Sequence, residues 1–519
     1  MNQKNKSKQK GNKILKFGGT LFFVLAFVFL GSQLFFASKT AELINLFFGD
    51  SGSANSQVES LNIVVPSAVN SLEPTLFVGD VRRRLANVYE PLVKMDRNFN
   101  LVPSLALSWG LIDDVTWEFN LRKGVLFHDG SDFNAYDVIA SVNRAKNFET
   151  STLTDILSTI SAVEVLDEYT LLIKTAAPDP LLLQKLSLIL IIPDYQENEK
   201  IDSVVGTGPY SLSNWIPNEK MEFLSFKDYW GNAPKFSKVV IYPVVDKSAR
   251  VSKFLNGEAD LISFVPYDAV EVIKETGSEV SSAPNLEVQF LLFNFDSDFL
   301  DQVEERQAMS LAVDVDGLRD QLGEFVKSQN QYVSNGVFGY SSDVEDHVFD
   351  LDKAKNAVLE LGLEGKTIQF HLQKGLDVLG EAIRKNFSQI GLNVIVSYLE
   401  PDKFLESLQN GKADMYFFGF KSELGDSLDF LKTIAYSSGD FNVSHYRNER
   451  VDYLVENALV ELNVFRRGEN LKEAMEILVN EDYLGVPLIE YETVYATNGK
   501  TKINPRFDGL IYFDDLIVN

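Results

Sequence analysis

Three features of this 519-residue sequence predict an α/β protein of two lobes preceded by one membrane-spanning helix. Residues 367–420 alternate apolar strands with amphipathic helices, each helix stopped by a glycine (Gly391, Gly411), the pattern of a parallel sheet covered on both faces. Two long apolar stretches, Leu286–Phe295 and Val486–Tyr495, flank that region and predict strands crossing between the lobes. Phe17–Ser38 carries no charge and, at about 33 Å as a helix, is long enough to cross a bilayer.

Length and composition limit the function classes. The chain is too long for one core, so two or three domains are expected. Asp and Glu number 74 against 48 Lys and Arg, a formal net charge of -26. Nucleic acid is therefore not an expected partner, because phosphate contacts need clustered Lys and Arg. There is no cysteine, which excludes disulfides, thiol nucleophiles, thiolate metal sites and an acylated cysteine anchor. The four histidines, His128, His347, His371 and His445, stand far apart with no ligand spacing, so neither a metal nor a cofactor is expected.

Lys4, Lys6, Lys8, Lys10, Lys13 and Lys16 precede the apolar run and place residues 1–16 in the cytoplasm, with the rest of the chain outside. Residues 17–38 are then an uncleaved anchor, favoured by length over a cleaved signal peptide, whose apolar core is usually about 7–15 residues. Residues 39–57, ending in Gly49-Asp-Ser-Gly-Ser-Ala-Asn-Ser-Gln57, form a linker.

Leu61–Val65 predicts the first strand of the soluble part, and the spacing of Leu85, Val88 and Leu92 predicts a helix over 81–92. Thr116–Arg122 alternates Trp117, Phe119 and Leu121 on one face, a half-buried strand, and Lys123–Gly130 predicts a second that ends in an Asp-Gly turn. Asn134 caps a following helix with Asp137 three residues on.

The run Pro103, Leu105-Ala-Leu-Ser-Trp109, Thr116–Gly130, Ala135-Tyr-Asp-Val138 and Arg144 resembles the signature of the family 5 extracellular solute-binding proteins, the peptide- and nickel-binding subunits of ABC importers. Gly206-Thr-Gly-Pro-Tyr210, Asp228-Tyr-Trp-Gly231, Gly257-Glu-Ala-Asp260 and the helix expected over Arg306–Arg319 extend the likeness. The resemblance implies a two-lobe periplasmic-binding-protein-like fold (type II, cluster C) with an extra subdomain in the first lobe. Residues 58–289 and 486–519 would form lobe I, with the subdomain at about 92–200, and 290–485 would form lobe II. It implies a monomeric, extracytoplasmic, non-enzymatic binder that hands a peptide ligand to ABC permease subunits.

Site residues follow from the same resemblance. Met415–Phe420 reads as a buried strand opening into a loop with Glu423, Asp426 and Asp429, and sites in α/β sheets lie beyond strand carboxyl ends. In peptide-binding members an Asp in this loop pairs with the ligand's α-ammonium. Laid on Gly419–Asp426, that pattern puts Glu423 at the amine position and Asp426 at the second acid, with Phe420 replacing Trp and Ser427 replacing Pro. Glu73, where the family carries Leu-Asp-Pro, Tyr446 and Asn294 in a crossing strand complete the implied ligand-binding set. Asp429 reads as a helix-start residue. Two alternatives stay open: a binder or sensor of a nickel chelate or a sugar on the same scaffold, and, more remotely, a hydrolase using Glu423 and Asp426 as paired carboxylates.

Overall fold

The computed structural model describes residues 58–77 and 79–519. The basic segment, the expected anchor at 17–38 and the linker lie outside the described residues; among those described, no helix is long and apolar enough to cross a membrane. Val58–Asn519 forms one compact unit.

Its main element is an eleven-stranded mixed sheet. In chain order the strands are β1 (Val58–Val65), β2 (Tyr210–Ile216), β3 (Lys220–Ser225), β4 (Phe236–Pro243), β5 (Leu261–Ser263), β6 (Glu279–Phe293), β7 (Val326–Ser328), β8 (Thr367–Gln373), β9 (Asn393–Leu399), β10 (Met415–Lys421) and β11 (Gly485–Thr497). Their spatial order is β9-β8-β10-β6-β11-β5-β1-β4-β3-β2, with β7 also on β11. Strands β8, β9 and β10 run parallel, as the strand–helix alternation requires. Met415 and Phe417 point into one apolar cluster, while Tyr416, Phe418 and Phe420 pack with another. Both faces of β10 are thus covered, which explains its unbroken apolar run.

The long strands β6 and β11 join the two halves of the sheet. Lys421, at the carboxyl end of β10, pairs with Glu287 midway along β6. Ser263, at the carboxyl end of β5, pairs with Tyr495 on β11, and β1 runs parallel to β5. The carboxyl ends of both parallel sets therefore point at the same stretch of the crossing strands, around residues 282–288 and 490–494. Sites in α/β sheets lie beyond strand carboxyl ends, so that convergence is the candidate cleft. Its floor is irregular: the β6–β11 register shifts between Pro284 and Val288, and Leu286 has φ +62°.

Several local expectations meet their caps. Asn134 and Asp137 form a reciprocal capping box on Ala135–Asn147, Asp350 caps Leu351–Glu360, and Asp246 caps Lys247–Leu255. Three elements differ. The helix expected over 81–92 is Gly79–Leu85 and stops because the Gly206–Tyr210 loop claims the next carbonyls: Gly208 donates to Val88 and Tyr210 to Asn87. A Cβ on Gly206 would lie 2.1 Å from the Val88 oxygen, so that loop needs its glycine. Lys123–Gly130 forms no ladder; Leu126 makes one bridge to Asp132, while His128 Nε2 lies 2.9 Å from the Gly208 oxygen. The helix expected over Arg306–Arg319 divides into Val303–Leu311 and Val315–Leu322, because Asp314 caps the second piece through the Gly317 amide. A four-stranded sheet (Ala106–Asp113, Thr116–Leu121, Thr170–Thr175, Ile160–Asp167) and a hairpin (Val93–Met95, Leu101–Pro103) complete the side bearing β1–β5.

Candidate functional site

The loop after β10 is held from three directions. Ser422 N–H donates to the Leu286 carbonyl in the irregular part of β6. Phe338 N–H donates to Gly425 O and Ser427 N–H to Phe338 O, which clamps Gly425–Ser427 against a second loop. Gly425 has φ +66°, and an added Cβ would meet the Phe99 ring at 2.6 Å, so both backbone and space demand glycine there.

The three acids of this loop have different surroundings. Asp426, 1% exposed, receives two hydrogen bonds from Arg467, Nη1 to Oδ2 at 2.7 Å and Nη2 to Oδ1 at 2.8 Å. Leu428 N–H adds a third bond at 3.0 Å, and no face of the carboxylate is left for a ligand. Asp429 sits in the first turn of a short helical segment and accepts the Leu424 N–H at 3.1 Å. Burial, with the neighbouring charge of Asp426, pushes its carboxyl up to about 7. Glu423 is the exposed member: its side chain is 41% accessible, and its one ion pair is with Lys421 at 3.1 Å.

The other residues implied by the sequence are engaged internally. Glu73 is buried and takes two hydrogen bonds from Arg144, at 3.0 Å and 2.5 Å, plus one from the Thr75 hydroxyl at 2.8 Å. Tyr446 is buried against Phe295 and donates its hydroxyl to Asp482, which also receives Asn448. Asn294 donates to the Ala413 carbonyl at 3.0 Å and accepts from Asp296 N–H, pinning the start of β10 to the end of β6. Glu423 alone of the five presents an accessible carboxylate at the strand ends.

Sequence reasoning passed over several residues that shape the cleft. Phe99, in the hairpin turn at φ +61°, is presented by Asp96, whose carboxylate accepts the amides of Asn98 and Asn100. Its ring stacks on Phe507 at 6.2 Å and reaches Gly425, so the hairpin touches the acidic loop across the cleft. The turn signal in Asp96-Arg-Asn-Phe-Asn100 was available, but nothing in one dimension gave the ring a partner. On the floor, Glu490 is 2% exposed and has no cationic partner among the described residues. It accepts from Ser334 Oγ (2.7 Å), Leu286 N–H (2.8 Å) and Gln329 Nε2 (2.8 Å), and burial pushes it up to about 7. Glu287 and Gln289 bond each other beside Gly419, where a Cβ would come within 2.5 Å of the Gln289 side chain. Among the described residues, no group of three or more His, Cys, Asp or Glu is placed to hold a metal ion.

Residues 100–442 match the family model for bacterial extracellular solute-binding proteins, family 5 (middle). The chain is 24% identical over 493 residues to the dipeptide-binding protein of Escherichia coli K12, covering 85% of this chain and 91% of that one. It is 25% identical over 471 residues to heme-binding protein A of Haemophilus influenzae, covering 82% and 84%. Among solved structures, HbpA2 from Haemophilus parasuis superposes with TM-score 0.82 at 20% identity, over 89% of this chain and all of that one. DppA from Helicobacter pylori, solved in complex with the peptide STSA, superposes with TM-score 0.73 at 23% identity, covering 90% and 100%. NikA from Brucella suis, in complex with Fe(III)-EDTA, gives TM-score 0.81 at 22% identity, covering 89% and 100%.

Proposed function

Since this chain belongs to the family 5 bacterial extracellular solute-binding proteins, we propose that it captures peptides in the cleft and delivers them to an ABC permease. Residues 17–38 would tether it to the membrane, with the lobes on the outer side. Binding, not chemistry on the ligand, is the act: two lobes joined by crossing strands close on a solute by hinge motion.

The accessible carboxylate of Glu423 at the converging strand ends carries the peptide assignment. Asp426 is fully used by Arg467 and stiffens the loop, while Glu423 can exchange the flexible Lys421 ammonium for a ligand ammonium. Calorimetry with peptides bearing a free amine, and with the same peptides N-acetylated, tests this. Glu423→Gln should lose about tenfold or more toward the free-amine series and little toward the acetylated one. Equal losses for both series would remove Glu423 from the role, and no binding to any peptide would remove the peptide ligand.

A further inference from the structure

A cavity lies at the opposite end of β10 from the acidic loop. Gly485 and Pro487, at the start of β11, line it. Gly485 pairs with Leu292, and Leu292 with Tyr416 at the amino end of β10. Glu423 follows the carboxyl end of that strand, so the cavity is outside the candidate cleft. Two exposed residues, Glu345 and Asp346, stand at its rim, so it opens to solvent. Its volume is about 110 Å³. An apolar cavity of about 150 Å³ accepts benzene, so this one has room for a group of a few heavy atoms.

The polar lining carries one sign of charge. Glu345 and Asp346 have no ion pair among the described residues, and Asp346 has one long contact, 3.4 Å from Asn330 Nδ2. No lysine or arginine lines the cavity. His347 Nε2–H donates to the Val313 carbonyl at 2.8 Å, which leaves Nδ1 an acceptor. Burial lowers the pKa of that ring, so it is neutral near pH 7. Ser310, near the end of helix Val303–Leu311, is 8% exposed and lines the cavity. Its hydroxyl has no hydrogen-bond partner among the described residues. Buried hydroxyls are nearly always paired, so this one calls for a partner that arrives through the cavity.

Two carboxylates and neutral acceptors, with no cation among them, complement a positive group that donates hydrogen bonds. A bare metal ion does not fit, because the described residues place no three His, Cys, Asp or Glu around one point. Leu311, Val479 and Pro487 give the cavity an apolar wall, and Tyr483, its hydroxyl held by Gln307 Nε2 at 2.9 Å, adds to it. Such a wall suits the carbon stem of an organic cation.

We propose that this cavity is a second binding site, outside the cleft, for an alkyl ammonium or guanidinium group. Glu345 and Asp346 pair with its charge, and Ser310 accepts one of its N–H groups. The group belongs either to a free small amine or to a Lys or Arg side chain of another protein. The site does not depend on the peptide assignment and is tested apart from it.

n-Butylguanidinium and n-butylammonium, with n-butanol as the uncharged match, are titrated into the full chain and followed by saturation-transfer NMR. The cations should bind and butanol should not, in wild type and equally in Glu423→Gln, which removes the accessible acid of the cleft. Glu345→Gln combined with Asp346→Asn should weaken the cations about tenfold or more, and Ser310→Ala about two- to tenfold. The blocked tripeptides acetyl-Gly-Arg-Gly-amide and acetyl-Gly-Lys-Gly-amide separate the two sources. Binding of the free cations alone assigns a small amine; binding of the tripeptides, alone or as well, assigns a side chain of a partner. Absence of binding by every cation at millimolar concentration, equal binding by butanol, or an affinity unchanged in the double variant overturns the site. Affinity lost in Glu423→Gln instead places the cation in the cleft and overturns it as well.

Discussion

Lys421 Nζ lies 3.1 Å from Glu423 Oε1, so the chain's own ammonium occupies the carboxylate proposed for the ligand. The pair is partly exposed and weak, on the order of 0.2–1 kcal/mol. Lys421→Met should therefore tighten binding of free-amine peptides by about two- to fivefold and leave N-acetylated ones unaffected. Weaker binding of the free-amine series in titration calorimetry would show that Lys421 assists the ligand instead.

Asp426 and Arg467 form a closed bidentate pair in the core of the same loop. Removing either partner strands a buried charge, so Asp426→Ala and Arg467→Ala should each cost about 3–5 kcal/mol in urea unfolding. The double variant should cost clearly less than the two added together, because the second change removes the orphan left by the first.

Stability should depend on pH through the raised carboxyls, among them two in or beside the candidate site. Asp429 and Glu490 are each pushed up to about 7 in the folded chain, whereas unfolded Asp and Glu titrate near 4. Between those values the folded state holds protons that the unfolded state has released. The contribution of these two groups to stability is therefore greatest below about pH 4, is lost as pH rises, and levels above about 7. Asp429→Asn keeps an acceptor for Leu424 and removes the charge, so it should flatten the profile and add ~1–3 kcal/mol at pH 8. An Asp429→Asn profile that runs parallel to wild type from pH 5 to 7 would contradict the Asp429 assignment.

Gly425→Ala should destabilise the chain by about 2–4 kcal/mol, through a positive φ and contact with the Phe99 ring. Adding Phe99→Ala should restore the steric share and leave the backbone share of about 1–2 kcal/mol. Thermal unfolding of the two single variants and the double variant separates the two shares.

The sequence carried the fold wherever local chemistry repeats. Glycine stops, Asp and Asn caps and the apolar run of β10 appear at their expected residues because each acts over a few positions. Pairings between distant segments were not legible. Glu73 and Tyr446 looked available because Arg144 and Asp482 lie far along the chain. The helix at 81–92 ended early for the same reason, through a loop more than a hundred residues on. Lys421 was visible beside Glu423 all along; what one dimension lacks is the side-chain geometry that makes it a competitor.

The pairing of β5 with the last residues of β11 bears on how the protein is made. Leu261 meets Thr497, 236 residues further on, so the sheet on the β1 side is incomplete until β11 has been made. Such long-range pairing folds slowly. While residues 58–263 are being made, their part of the sheet lacks the strand beside β5, so it stays open until β11 emerges.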